Sequence, residues 1–491
     1  MAGCTLADFD ILIQGDRSPY TVTVFYGGTD ARHRYSASGT FTPDILNREW
    51  QQAYHILGET LSFADADAVT SIGERLWNAL MQGRVRDLWI AARNDVDQEH
   101  VEGLRLRLDL QSPHVAALPW ESLYDQDRNV LFAGHPDFAL VRVASLYHHV
   151  GRQRRTQVQL PLRVLVVAPD DPAGIIDARR EIAEIEQIMT GIDGQYSGTK
   201  YVEIEKLTDD FSITQLRKRL ATFKPNVLHF IGHGEPNGIK LFPRGRAYLA
   251  STQSLRSLLE RTTSVKLVVL NACLTGRTAR PIPFSGVAEQ IMQAGVPAVI
   301  AMQYQIRDDV AIDFAHFLYE ELLGGACPGM IDVAMSAARS GLYAANPGDF
   351  SFGTPILWLN RHDGSIFALD ANEIESSKET VNKLPALPHV PALDVQQESA
   401  WIDEMVATTE LEQLHGEFAF LRNKWINYVN ELRSLLIQVA ALLEQRDRAH
   451  AEGKPVVEEE AAYEAKVADY RRFKAALLRV KRLIEDANRN R

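Results

Sequence analysis

Two apolar runs that end in the same way constrain this chain more than any other feature. Asn226-Val-Leu-His-Phe-Ile-Gly-His-Gly234 and Lys266-Leu-Val-Val-Leu-Asn-Ala-Cys-Leu-Thr-Gly276 both open on β-branched and aliphatic residues. Both break into small residues where a reactive side chain appears, His233 in one and Cys273 in the other. Short apolar runs of this kind predict buried strands. If the two strands are parallel neighbours in an open α/β sheet, both side chains reach the crevice beyond the strands' carboxyl ends. A thiol beside an imidazole is a nucleophile beside its base, the minimal equipment of a cysteine peptidase.

The surrounding pattern supports such a sheet. Arg163-Val-Leu-Val-Val-Ala-Pro169 reads as a strand ending in Asp170-Asp171-Pro172, and 176–192 reads as an amphipathic helix. Ser212 is placed to cap a helix whose apolar face carries Leu216, Leu220 and Phe223. Further strands are expected at 298–302 and 355–359, with helices at 284–294, 310–323 and 331–344. Strands alternating with helices predict a mostly parallel sheet with helices on both faces. Residues 1–155 read as a separate N-terminal α/β domain. It has a hairpin across Gly15–Pro19, helical patterning over 44–82, and the alternating strand Leu104-Arg-Leu-Arg-Leu-Asp-Leu110 with one face in the core and one in solvent. Trp120 and Glu121 read as a packing anchor and a cap or salt-bridge partner.

Length and composition set outer limits. At 491 residues the chain exceeds one ordinary core, and its net charge of −12 argues against a direct nucleic-acid binder. Cys4, Cys273 and Cys327 lie far apart without CxxC spacing, so neither a disulfide framework nor a zinc ribbon is expected. No metal or cofactor is called for. The first residues lack the basic and apolar regions of a signal peptide, and no apolar run is long enough for a membrane span. A cytoplasmic location without membrane contact is the expectation.

The second expected unit, 156–363, is followed by a linker over 364–398, rich in Pro around Lys383-Leu-Pro-Ala-Leu-Pro-His-Val-Pro-Ala392. Beyond it, Leu414, Phe418, Leu421, Trp425, Tyr428, Leu432, Leu435, Val439 and Leu442 recur at a 4-3-4-3 spacing. That is a coiled-coil seam. With a turn at Gly453-Lys-Pro455 it predicts a helical coiled-coil hairpin over 399–491, either self-contained or docking a partner or a second copy.

Within the central runs, His229 lies inside an apolar stretch and reads as a buried structural histidine. A free cysteine also packs as a small hydrophobe, but the Leu-Thr-Gly that follows Cys273 favours exposure on a sharp turn. His229-Phe-Ile-Gly-His-Gly234 with Leu270-Asn-Ala-Cys-Leu-Thr-Gly276 resembles the CHAT peptidases, a caspase- and separase-like group of the caspase–gingipain clan. Leu118-Pro-Trp-Glu-Ser-Leu-Tyr124 and Gln293-Ala-Gly-Val-Pro-Ala-Val-Ile-Ala-Met-Gln303, with Asp308 and 314–319, extend the likeness over roughly 1–362. The resemblance implies a caspase-like fold and hydrolysis of a protein substrate, with Cys273 as nucleophile and His233 as base and acid. It implies an oxyanion hole from the backbone N–H groups of Gly234 and Cys273. Relatives that cleave after Lys or Arg carry an acid two positions before the cysteine, where this chain has Asn271. An acidic pocket would then need Asp170, Asp171 or Asp308, although turn chemistry alone accounts for Asp-Asp-Pro. The implied role is regulated proteolysis in a bacterial defence system, with a sensor or effector on the helical arm. The alternative is a non-catalytic scaffold of the same fold. Low basal activity is expected, with mobile loops over 235–246 and 274–284.

Overall fold

The computed structural model describes residues 6–27, 35–43, 66–98, 101–135, 137–143, 158–169, 178–194, 200–209, 211–235, 237–274, 285–304, 306–325, 327–345, 350–360, 363–367, 395–408 and 419–451. It also describes residues 463, 466, 467, 474 and 481, and at some positions, Cys273 among them, the backbone alone. In the first part of the chain β1 (Ala7–Gln14) and β2 (Tyr20–Tyr26) form the expected hairpin, extended by β3 (Tyr35–Phe41). Two helices follow, α1 (Ala66–Leu80) and α2 (Gly83–Asp97). The earlier part of the helical patterning expected over 44–82 lies outside the described residues. The central β4 (Leu104–Leu110) runs parallel to β1. A small ribbon of β5 (Tyr124–Asp125) and β6 (Val130–Leu131) precedes β7 (Phe138–Arg142), which is parallel to β4.

From residue 162 the strand–helix rhythm is that of the sequence. β8 (Leu162–Pro169), α3 (Ala178–Gly194), β9 (Val202–Asp209), α4 (Ile213–Phe223) and β10 (Val227–Glu235) come first. Ser212 closes a capping box with Gln215 at the start of α4, satisfying backbone donors that a helix N-terminus otherwise leaves open. The antiparallel pair β11 (Gly238–Leu241) and β12 (Tyr248–Ser251) then leads to α5 (Thr252–Arg261) and β13 (Leu267–Leu274). The remaining elements of this unit are α6 (Ser285–Gln293), β14 (Ala298–Met302), α7 (Asp308–Gly324), α8 (Ile331–Ala345) and β15 (Pro355–Leu359).

All but the ribbon join one 13-stranded sheet. Its path runs β9-β8-β10-β13-β14-β15-β7-β4-β1-β2-β3, with β11 and β12 continuing from the end of β10. Alternate residues of β10 and β13 feed two cores. Val227, Ile231, Leu267 and Val269 pack with α3, α7 and α8, while Leu228, Phe230, Val268 and Leu270 pack with α4, α5 and α6. The result is an α/β fold with a largely parallel central sheet.

This sheet corrects the expected division at 155/156. Residues 1–383 form one compact unit, because β7 of the first part joins β15 of the second. That junction has a single registered ladder pair, Trp358 with Arg142, and buried side chains supply the rest. Arg339 of α8 donates to the carbonyls of Leu140 and Pro355, 3.0 and 2.9 Å away, and so links β7 to β15. Arg142 donates to both oxygens of Glu121 and to the Ala116 carbonyl, and Gln303, just beyond β14, donates to Glu121 at 2.7 Å. Glu121 is thus the salt-bridge partner expected of it. Trp120 is the packing anchor, fully buried with its indole N–H on the Val115 carbonyl.

The expectation for β4 is overturned. Its polar face is not in solvent: Arg105, Arg107 and Asp109 are all buried. Arg105 bridges Asp8 and Asp332 at 2.6 Å each, and Arg107 reaches Asp8 and Asp10. β4 is flanked by β1 and β7, Asp332 of α8 meets Arg105, and charges so buried survive only when paired. The cysteine expectation also fails, since Cys327, in the turn between α7 and α8, is disulfide-bonded. That turn adjoins the chain just after β15, at the end of the sheet opposite position 273.

The second unit, 384–491, is described by itself. Its helices are α9 (Val395–Thr408) and α10 (Ala419–Ala451), so the last residues of the expected linker are helical. Trp425, Leu432, Leu435 and Val439 of the expected seam are buried together with Val429, Ile402, Met405, Tyr463 and Val467. Leu414 and Phe418 lie outside the described residues. Among the described residues no helix is long and apolar enough to cross a membrane.

The junction gives a direct test. Glu121→Ala leaves the buried guanidiniums of Arg142 and Arg339 without their anion. It should lower stability by about 3–5 kcal/mol, read as a shift of the denaturant midpoint.

Candidate functional site

β10 and β13 are parallel neighbours in continuous register from Val227 with Leu267 to Gly234 with Leu274. Within that register His229 is opposite Val269, Ile231 opposite Asn271, and His233 opposite Cys273. Adjacent strands lie about 4.8 Å apart, so the two residues of the candidate dyad are direct neighbours at the backbone. Strand parity places 229, 231 and 233 on one face with 269, 271 and 273. His233 is 4% exposed, and Phe242 meets its ring edge-on at 6.0 Å.

Phe242 follows β11, which occupies much of the segment expected to be a mobile loop over 235–246. The chain instead turns back at Asn237 and pairs Gly234 with Ile239 and Glu235 with Gly238. Gly238 has φ +158°, and a Cβ there would stand 2.2 Å from the Ala250 carbonyl oxygen. Only glycine permits that approach. Gly234 therefore has a ladder neighbour on each side, Leu274 and Ile239. The loop after Leu274 lies outside the described residues.

Beneath the dyad, on the same face, lies a buried polar cluster drawn from four elements. His229 is fully buried, as expected of a structural histidine, with Nδ1 2.8 Å from the Tyr319 hydroxyl of α7 and Nε2 3.0 Å from Glu181 Oε1 of α3. Asn271 of β13 donates through Nδ2 to the same Glu181 oxygen at 2.5 Å and, more weakly, to the Ala311 carbonyl. Burial, with the Glu181 charge in second place, pushes the Tyr319 phenol far above its usual range. The phenol stays protonated and donates to Nδ1, which leaves Nε2–H for the carboxylate. Asn271 Oδ1 is buried without a hydrogen-bond partner.

Of the carboxylates proposed near the site, Asp170 and Asp171 lie outside the described residues. Asp308 is exposed in the first turn of α7, where a helix N-terminus favours a negative charge without further function. Among the described residues, the carboxylate beneath the candidate dyad is Glu181, which sequence reasoning passed over. One signal was available: Glu181 occupies the buried stripe of α3 with Ile185, Met189 and Ile192. A charge in such a stripe needs a partner. Among the described residues no group of three or more His, Cys, Asp or Glu is arranged to hold a metal ion.

The CHAT domain model matches residues 70–370, more than half of the chain, and the chain belongs to that family. Among solved structures it is similar to the Arg-specific cysteine proteinase gingipain R. The TM-score is 0.40 at 11% identity, over 62% of this chain and 74% of that one. It is also similar to the Saccharomyces cerevisiae separase–securin complex, with TM-score 0.40 and 12% identity over 72% of this chain. It spans 30% of the length of that chain. A comparison with curated proteins gives no match.

The buried cluster is testable apart from any activity. Tyr319→Phe removes the donor to His229 Nδ1 and strands a buried acceptor. A loss of about 1–3 kcal/mol is expected in chemical denaturation.

Proposed function

We propose that this chain is a regulated cysteine endopeptidase that cleaves one or a few dedicated proteins. The observation that carries the reading is the register of β10 and β13, which sets His233 and Cys273 opposite one another at the carboxyl ends of adjacent parallel strands. His233 takes the proton of the Cys273 thiol, and the thiolate adds to the substrate carbonyl. Backbone N–H groups at Gly234 and Cys273 receive the oxyanion, where one donor of this kind is worth about 3 kcal/mol in the transition state. The imidazolium then gives its proton to the departing amine, leaving a thioester on Cys273. Water attacks the thioester as His233 again acts as base, and the thiol is regenerated. His229 and Glu181 hold the end of β10 beneath His233.

Regulation and partner choice fall to the second unit, which lies outside the residues matched to the CHAT domain. Trp425, Leu432, Leu435 and Val439 of its seam are buried within the unit, which supports a self-contained helical body. Among the described residues, Ile426 and Ile437, 41% and 70% exposed on α10, are apolar side chains open to a sensor, an effector or a second copy. A place in a bacterial defence system is part of this reading. The competing reading, a scaffold that binds without cutting, is separated from it by the thiol.

Incubation of the purified chain with the proteins encoded beside it, followed by sequencing of new N-termini, should reveal cleavage that Cys273→Ala and His233→Ala both abolish. Partner binding should survive in Cys273→Ala. Full cleavage by Cys273→Ser would overturn the proposal. Deleting residues 384–491 should leave 1–383 folded, with an unchanged rate of Cys273 alkylation by iodoacetamide, and should remove partner binding measured by co-purification.

A further inference from the structure

The β11–β12 hairpin beside the dyad carries a charge unlike that of the rest of the chain. From Gly238 to Leu259 the cations are Lys240, Arg244, Arg246 and Arg256, and there is no acid, in a chain of net charge −12. Lys240 is held by Glu235 and Arg256 by Glu260. Arg244 and Arg246 open an exposed run over 244–249 that enters β12. The run ends on Tyr248 and Leu249, 41% and 44% exposed. Among the described residues they are the one adjacent pair of exposed large apolar side chains.

β12 also ends the sheet on this side, and among the described residues no strand pairs with its outer edge. Such an edge offers backbone donors and acceptors to an extended chain, and proteins usually blunt it with charge or proline within the strand. The Tyr-Leu-Ala-Ser of β12 has neither, and its charges stand just before it, in the turn. The strand is held firmly as well. It pairs with β11 along its whole length, and Ser251 at its end caps α5 by accepting from the Ser254 N–H at 3.2 Å. A preformed edge binds without an ordering cost of its own. Cross-strand pairing sets Leu249 beside Lys240, on the face away from Ile239, Leu241 and Ala250, which lie in the core. The ligand that fits is an extended peptide with an apolar residue for Leu249 and acids where it passes Arg244 and Arg246.

The position relates this edge to the dyad. Gly234 pairs with Ile239 and Ile239 with Ala250. A strand added to β12 would lie four strand spacings from β13, about 19 Å at 4.8 Å each. An extended chain crosses that span in about six residues. Phe242, which meets the His233 ring, sits at the base of the same turn.

We propose that the β12 edge, with Arg244 and Arg246, docks an acidic extended segment of the protein substrate as an added strand, at least about six residues from the bond that is cut. That the docked protein is a substrate rests on the peptidase reading above; the docking itself does not.

The test has two arms. In the first, a fluorescein-labelled decapeptide alternating Glu with Val and Thr is titrated with the full chain and followed by anisotropy. It should bind at least about tenfold more tightly than a peptide with Lys for each Glu, and the Arg244→Glu, Arg246→Glu double variant should lose that preference. Methylating alternate backbone nitrogens of the peptide blocks its donors toward β12 in one phase and away from it in the other. The two phases should differ at least about tenfold in affinity, which strand addition requires and charge attraction alone does not. No binding of the Glu peptide, equal binding of the Lys peptide, a preference that survives the charge reversal, equal affinity of the two methylated phases, or tighter binding of a short oligouridine overturns the proposal. In the second arm, the partner found by sequencing new N-termini is cleaved by the wild-type chain and by the double variant. Its KM should rise at least about tenfold in the variant. An unchanged KM overturns the proposal while the peptidase reading stands. If no partner is cut but the peptide contrasts hold, the docking surface stands and only the peptidase reading fails. Both arginines are exposed, and the methylated peptides need no change to the protein, so a folding defect in the variant leaves the first arm decisive.

Discussion

Glu121 holds together the two halves of this molecule. A sheet this wide cannot rely on hydrogen-bond ladders alone where β7 meets β15, because the strands share one registered pair there. The junction is closed by two buried guanidiniums, Arg142 and Arg339, gathered around one carboxylate. Burial, partly offset by Glu121, lowers the Arg339 pKa to about 10. It therefore remains charged at neutral pH and continues to donate to carbonyls of both strands. Gln303 extends the same node to the end of β14 by donating to Glu121 and to the Gly353 carbonyl. Because β14 is hydrogen-bonded to β13, the alignment of the strand that carries Cys273 is tied to the Pro-Trp-Glu segment of the first part of the chain.

The same economy governs the site. Polar groups placed two and four residues before the dyad could have been apolar, as Val269 and Ile231 are on the same face. Instead His229, Asn271, Glu181 and Tyr319 bring β10, β13, α3 and α7 to one point. Charges and hydrogen bonds impose direction as well as proximity, so the cluster fixes the register of β10 against the helices more sharply than interchangeable methyl groups would. In this cluster the polar atom left without a partner, Asn271 Oδ1, is two residues from position 273 on β13.

Much of this was legible in the sequence because it is local. The strands of 227–235 and 267–274, the capping box at Ser212, the hairpin of β1 and β2, and helices α7 and α8 all follow from patterns within a dozen residues. What escaped is contact between distant residues. Arg105 and Asp332 are 227 positions apart, and the alternation of β4 shows two kinds of face without showing that the second is buried too. Glu181 and Asn271 are 90 positions apart, so a buried carboxylate in α3 looks like any other acid on an amphipathic helix. The segment after Gly234 read as a loop because Gly, Pro and Arg punctuate it. β11 forms there because Gly238 permits a backbone approach that no propensity records.

Two buried carboxylates, Glu121 and Glu181, are balanced in different ways. Glu121 meets two arginines, so its charge is more than balanced, and the excess is positive. Among the described residues, Glu181 meets an amide and an imidazole and no guanidinium or ammonium. Glu181 could have been matched in the same way, since α3 carries Arg179 and Arg180 immediately before it. Those side chains instead lie at exposed positions. Glu181 takes two directional donors from adjacent strands, so it orders β10 and β13 against α3 rather than neutralising a charge.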